Sequence, residues 1–164
     1  MTLAYGGTLP ATETGRDHRQ VLQGQPPMAA AAGSFLAAGS GWYPQPPLAL
    51  FSYRVRVSVP GEQRAVVPGS LRLERLPRTA ADRYEAEFEF AQPTDGVDLM
   101  AGPWRVRERL MARDGVSPLR LRTYFPPPLD GEPGLAEGYL ADSARYLERY
   151  SALIGAYPYD AFSI

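Results

Sequence analysis

The chain has 164 residues, of which 45% are hydrophobic, enough to bury the core of one domain and part of another. Its 17 basic and 18 acidic residues leave a net charge of -1, which gives no electrostatic basis for binding nucleic acid or an anionic membrane. The absence of cysteine excludes disulfides, a cysteine nucleophile and cysteine-ligated zinc, and no apolar run approaches the ~18 residues of a membrane-spanning helix.

The first 48 residues show little periodicity. One short strand is predicted in LAYGGTLP (residues 3–10), followed by a polar loop and, at residues 39–47, a turn-rich aromatic-proline segment. Residues 28–38 have the length of a signal-peptide core but no basic region at the chain start, so no signal peptide is predicted. His18, the single histidine, would have to serve any catalytic triad or nitrogen-ligated metal, but a solvated loop side chain is the favoured interpretation.

Apolar and polar residues alternate with period 2 in several segments after residue 49. Such alternation is typical of strands with one packed and one solvated face. The segments are FSYRVRVSV (51–59), SLRLERL (70–76), YEAEFEF (84–90), WRVRERL (104–110) and LRLRTYF (119–125). Their solvated faces carry arginine on some strands and glutamate on another, which predicts cross-strand ion pairs. The fold class predicted is mainly β, an antiparallel β-sandwich or saddle-like sheet followed by one long C-terminal α-helix.

Three glutamates, Glu85, Glu87 and Glu89, share the solvated face of one predicted strand. Neighbours on one face lie about 6.6–7 Å apart, which overlaps the spacing of the two carboxylates in inverting glycosidases. An unrecognised hydrolase is therefore one hypothesis. Ion pairing with the arginine-bearing strands is the favoured interpretation, because catalysis also needs a cleft and two carboxyls of unequal pKa.

The region after the last strand divides into a spacer and a helix. Residues 1–125 are predicted as a β domain whose first 48 residues are irregular, residues 126–134 as a proline-rich linker, and residues 135–164 as the start of a further domain. Apolar residues recur at helical spacing, and Gly155 and Pro158 mark the end of the helix. These packing positions are Leu135, Tyr139, Tyr146, Leu147, Tyr150, Leu153 and Ile154. The final residues, DAFSI, are expected to begin a strand whose sheet is absent.

Aromatic side chains offer candidate interaction residues. Trp42, Tyr43 and Trp104 could form a ligand platform, although such residues more often anchor a core or a turn. No other constellation carries chemistry, and the residues alone leave the function undetermined.

Four segments, in order, resemble M1-type zinc metallopeptidases of the aminopeptidase N-like family, in a bacterial branch. They are GWYPQPPLALFSYRVRVSVPGEQRAVVPGSL (41–71), GVDLMAGPWRVRE (96–108), LRLRTYFPPP (119–128) and YLADSARYLERYSALIGAYPYDAFSI (139–164). The last segment is similar to the first helix of the family's catalytic domain and the G-x-YPY turn after it. The resemblance implies an internal segment: the later part of the N-terminal β domain and the beginning of the catalytic domain.

The resemblance also implies what this segment lacks. The family's Gly-x-Met-Glu-Asn and His-Glu-x-x-His motifs would follow Ile164, so no residue matches a zinc ligand or the general base. Residues 34–41 stand where the family has an acidic or amide substrate-binding residue, and no side chain there matches it. The expectation is a non-catalytic segment that binds no zinc by itself. The intact parent protein would use zinc-activated water to cleave peptide substrates.

A stand-alone β-sandwich binding or interaction module, without enzymatic activity, is the alternative. Under either hypothesis the apolar surface of the last helix and of AFSI (161–164) is expected to be exposed and to favour self-association.

Overall fold

The computed structural model describes residues 2–10, 27–45 and 49–164. His18 lies outside the described residues. The strands are β1 (Met28–Ala30), β2 (Gly33–Leu36), β3 (Phe51–Pro60), β4 (Arg64–Val66), β5 (Ser70–Arg75), β6 (Arg83–Thr94), β7 (Leu99–Gly102), β8 (Arg105–Met111), β9 (Leu119–Phe125) and β10 (Ala161–Ser163). The helices are α1 (Pro127–Asp130) and α2 (Leu135–Ile154). The predicted fold class, mainly β with antiparallel sheets and one long C-terminal helix, is confirmed.

The central sheet has the order β3-β6-β5 and is antiparallel. Its register places Arg54 opposite Glu89 and Arg56 opposite Glu87, and a 2.8 Å hydrogen bond joins the side chains of each pair. Because directly opposed residues share a face, the alternating apolar residues of both strands point away from these ion pairs. The predicted faces of β3 and β6, and the predicted arginine–glutamate pairing, are therefore confirmed.

A second antiparallel sheet, in the order β1-β2-β7-β4, packs against the central one. Both sheets contribute to the first hydrophobic cluster, as expected for a β-sandwich. Its buried members are Val57, Ala65, Val67, Tyr84, Ala86, Phe88, Val97, Leu99 and Ala101.

The third sheet, in the order β10-β9-β8, contains both pairing types. Strands β8 and β9 are antiparallel, whereas β9 and β10 are parallel and are connected through α1 and α2. Parallel neighbours need such a crossover, and the β9–α2–β10 segment is hereafter called the βαβ unit. The expectation that the sheet of the final strand is absent was therefore wrong, because β10 pairs with β9 inside this chain.

Helix α2 packs on β9 through a narrow stripe. Its buried residues are Ala136, Leu140 and Ala144, and the last two form the second hydrophobic cluster with Leu119 and Leu121. The small alanines allow the helix to approach the sheet closely. The predicted packing row was only partly right, since its tyrosines and the last two apolar residues of the helix are exposed.

Other sequence expectations differ from the structure. Residues 3–10 form no strand, although the carbonyl of Pro10 accepts a 3.0 Å hydrogen bond from the amide of Ala29. Leu110 was predicted on a packed face but is 59% exposed, because the β8–β9 register places it opposite Arg120. The proline-rich segment forms the short helix α1, since proline is well tolerated in the first helical turn. The domain boundaries remain predictions.

Candidate functional site

The described residues form a cleft of about 1520 Å³. Its walls are the β4–β5 turn, the end of β6, the β8–β9 loop and residues 156–164. It therefore lies between the β-sandwich and the βαβ unit, the kind of location that ligand sites favour.

Aromatic side chains cover much of this cleft. Trp104 makes an edge-to-face contact with Tyr124, with ring centroids 5.8 Å apart. Tyr159, which also lines the cleft, lies between Phe90 and Tyr157, with centroids 5.7 and 5.4 Å away. These faces offer apolar contact area to an extended or aromatic ligand.

Trp104 is held by its own chain. A Cβ atom added to Gly102 would lie 2.8 Å from the indole ring, so glycine permits the close approach. The geometry is compatible with the predicted interaction role of Trp104, which stays a prediction.

Trp42 and Tyr43 do not line the cleft. They contact each other edge to face, with centroids 4.6 Å apart, and pack against the first hydrophobic cluster. The hydroxyl of Tyr43 donates to Gln45 at 2.9 Å and accepts from the amide of Val97 at 3.0 Å. The structure thus separates these two aromatics from Trp104, and their contacts favour a role as turn anchors.

A charged network joins β5 to β9. Arg122 donates from Nη1 and Nη2 to the two carboxylate oxygens of Glu74, at 3.0 and 2.8 Å, and from Nε to Glu108 at 2.6 Å. The hydroxyl of Tyr84 donates to the same carboxylate at 2.8 Å. The Arg122 side chain is only 12% exposed, so these hydrogen bonds compensate for the lost hydration of its guanidinium group.

The environment of this network shifts the pKa values of Glu74, Tyr84 and Arg122. Burial would raise the pKa of Glu74, but hydrogen bonds and positive charge from Arg122, together with the Tyr84 hydroxyl, outweigh it and hold the pKa below its ordinary value. Burial and the adjacent Glu74 charge raise the pKa of Tyr84. For Arg122, burial opposes the charged form, yet the bond to Glu74 and its other partners raise the pKa further. Around neutrality Glu74 and Arg122 are therefore charged and Tyr84 keeps its phenolic proton, so the Glu74 carboxylate holds no proton for general acid catalysis.

A second polar contact lies at the edge of the cleft. The Ser70 hydroxyl lies 2.7 Å from both carboxylate oxygens of Asp160. Gly69 precedes it at φ +116°, and a Cβ there would lie 2.5 Å from the carbonyl oxygen of Glu89, so only glycine allows the turn that places Ser70. Arg113 fixes the other side of the segment by donating to the carbonyls of Tyr157 and Tyr159 at 3.2 and 2.8 Å.

The glutamate row on β6 forms ion pairs with arginines. Glu89 accepts hydrogen bonds from Arg54 and Arg72, both at 2.8 Å, and these bonds hold the pKa of Glu89 below its ordinary value. A general acid needs the opposite shift. The contacts therefore favour the structural interpretation of the row over the hydrolase hypothesis.

Neither a metal site nor a membrane span is found in the described part of the chain. Among residues 2–10, 27–45 and 49–164, no three His, Asp or Glu side chains are grouped so that they could share a metal ion. None of the described helices is long and apolar enough to cross a membrane.

Comparison with solved structures identifies the architecture. An M1 zinc metallopeptidase from Deinococcus radiodurans superposes with a TM-score of 0.63 at 20% identity, over 84% of this chain and 32% of that chain. A mutant from the same organism, bound to a Tyr-Ser-Ala substrate, gives a TM-score of 0.66 at 20% identity over 96% of this chain and 36% of that one. The chain has the fold of an M1 zinc metallopeptidase segment.

The extent of the match bears on what the chain contains. A two-domain M1 zinc metallopeptidase mutant bound to L-arginine also matches with a TM-score of 0.66 at 20% identity, over 96% of this chain and 36% of its own. The present chain thus spans about a third of the length of these proteins. No protein-family model matches it. No curated protein matches it in sequence.

The Glu74–Arg122–Tyr84 network is not among the predictions made from the sequence. Alternation assigned Glu74 and Arg122 to solvated faces and Tyr84 to a packed one. The feature that points to the network is Tyr84, a tyrosine at a fully buried strand position. A buried hydroxyl requires a hydrogen-bond partner.

Proposed function

We propose that this chain is a non-catalytic segment of an M1-like zinc aminopeptidase, in a bacterial branch. The observation that carries the proposal is the superposition over 96% of the chain with a TM-score of 0.66 on a substrate-bound M1 zinc metallopeptidase mutant. The order of elements, a β-sandwich followed by a βαβ unit, is compatible with the later part of an N-terminal β domain joined to the beginning of a catalytic domain.

In this proposal the chain supplies a scaffold and one wall of a cleft. The parent protein would cleave peptide bonds with zinc-activated water, on residues outside the described part of this chain. The aromatic faces of Trp104, Tyr124 and Tyr159 are the surface that this segment offers to a peptide or to a neighbouring domain.

Metal analysis and an activity assay test the non-catalytic role. We expect the purified 164-residue chain to hold far less than stoichiometric zinc after chelation, zinc addition and dialysis, and to release no amino acid from aminoacyl substrates. One tightly held zinc ion per chain, or measurable aminopeptidase turnover, would contradict it. Sequencing downstream of the Ile164 codon tests the segment hypothesis separately. Absence of a His-Glu-x-x-His motif, in frame or after a single frameshift, counts against it.

A stand-alone interaction module is the second candidate, and one observation favours it. The final strand pairs with β9 inside the chain, and Phe162 and Ile164 pack against the second cluster, so the βαβ unit has a core of its own. This candidate requires residues 1–164 to melt cooperatively as a defined monomer or dimer. A broad transition accompanied by strong binding of a hydrophobic dye would argue against it.

A further inference from the structure

The two hydrophobic clusters of the described chain share no residue. The first belongs to the β-sandwich, whereas the second belongs to β8, β9, β10 and α2. The chain crosses from one to the other in the short β7–β8 connection, at residues 103–104. A joint with a large apolar core would be rigid, but separate cores permit relative motion unless other contacts prevent it.

The contacts that bridge the two units are mostly polar and come from β5. Arg122 binds Glu74, Ser70 binds Asp160, and Nη1 of Arg120 donates to the carbonyl of Leu71 at 3.5 Å. Strand β5 is an edge strand of the central sheet, so its free side faces the βαβ unit. The ring contact between Phe90 and Tyr159, two residues that line the cleft, adds an apolar contact.

We propose that Glu74–Arg122 and Ser70–Asp160 form a latch, and that its release lets the βαβ unit move as a body against the β-sandwich and widen the cleft. Each pair is made of a group from β5 and a group from the βαβ unit, so both break together when the units separate. Ser70 and Asp160 line the cleft, so their separation changes its width directly. Packed units joined by few contacts move by hinge or shear displacements of this kind.

Distance measurement between two spin labels tests the latch. Because the chain has no cysteine, Glu62→Cys in the β3–β4 turn and Arg149→Cys on α2 place one label on each unit, both at exposed positions. We expect a narrow distance distribution in this background. Adding Ser70→Ala and Glu74→Gln should broaden the distribution and shift it to longer distances.

Glu85→Gln is the matched control. It removes the Arg75–Glu85 ion pair, at 3.2 Å, which lies entirely within the β-sandwich, and should leave the distances unchanged. An unchanged distribution in the latch variant, or the same broadening in the control, would overturn the proposal. If the double variant does not fold, Ser70→Ala alone decides: broadening supports the latch, and an unchanged distribution rejects it. The result is independent of whether the chain derives from a peptidase.

Discussion

The hydroxyl of Tyr84 donates a 2.8 Å hydrogen bond to Oε1 of Glu74, and the tyrosine side chain is completely buried. Replacing Tyr84 with phenylalanine keeps the ring in the first cluster but removes one partner of a carboxylate. Bonds to charged groups contribute about 1.5–3 kcal/mol, and because Glu74 retains Arg122 we expect a loss of about 1–2 kcal/mol in the free energy of unfolding. Urea denaturation measures this loss.

Tyr53→Phe is the control for this substitution. The Tyr53 hydroxyl donates to the carbonyl of Pro68 at 2.7 Å in a more exposed setting, so water can replace the lost partner. The expected loss is smaller, about 0.5 kcal/mol, at the low end for a neutral hydrogen bond. Equal losses for the two variants would show that the Glu74 contact adds nothing.

Acid should weaken the fold through Glu74. Its carboxyl is faced by Arg122 from β9, the hydroxyl of Tyr84 from β6 and the charge of Arg64 from β4, and its pKa in the folded chain is lowered. A lowered pKa contributes stability above the unfolded value of about 4.3, and this contribution is lost as the pH falls through the folded value. Glu74→Gln should therefore flatten the acid limb of a plot of unfolding free energy against pH.

The comparison for that experiment is Glu85→Gln. Glu85 is on the neighbouring strand and pairs with an exposed arginine, so solvent screens the interaction. The acid limb of this variant should stay close to that of the unsubstituted chain. If Glu74→Gln also followed the unsubstituted curve, the lowered pKa of Glu74 would not contribute to stability.

Alternation of apolar and polar residues predicted the sandwich because the buried face of a strand can be recognised from that strand alone. The apolar faces of β3 and β6 follow from period 2, and once those faces are buried the register brings Arg54 to Glu89 and Arg56 to Glu87. The four residues Leu119, Leu121, Thr123 and Phe125 are buried for the same reason.

The sequence predicted burial and pairing poorly wherever these depend on packing against a third element. Alternation places Leu110 on the packed face of its strand. The β8–β9 register, in which Met111 lies opposite Leu119, instead places it on the face that carries the arginines of β9. Glu74 and Arg122 lie on strands of different sheets, so no cross-strand rule relates them. On α2 Leu140 and Ala144 pack against β9, whereas the tyrosines of the predicted packing row are exposed.

Two leucine-to-alanine substitutions in the third sheet compare the stability cost at a buried position with that at an exposed one. Leu121 is completely buried between β9 and α2, whereas Leu110 is 59% exposed on the facing strand. Leu121→Ala should cost about 2–5 kcal/mol, because it removes buried methyl groups and leaves a cavity. Leu110→Ala should change stability by less than about 0.5 kcal/mol, as an exposed substitution does. Chemical denaturation of both variants measures the difference, and similar losses would contradict the β8–β9 register.

The end of α2 carries the most exposed large apolar side chains of the described helix, and we expect it to drive self-association of the isolated chain. Leu153 is 68% exposed and Ile154 84% exposed, next to the half-exposed ring of Tyr150. Covering such a patch removes apolar surface from water at about 25 cal/mol per Å². Sedimentation velocity across a concentration series should show association that Leu153→Gln with Ile154→Lys reduces or abolishes. Ala141→Lys, an exposed position earlier on the same helix, adds the same charge away from the patch and should leave association unchanged. Equal effects of the two changes would attribute association to net charge and exclude the helix end as the contact.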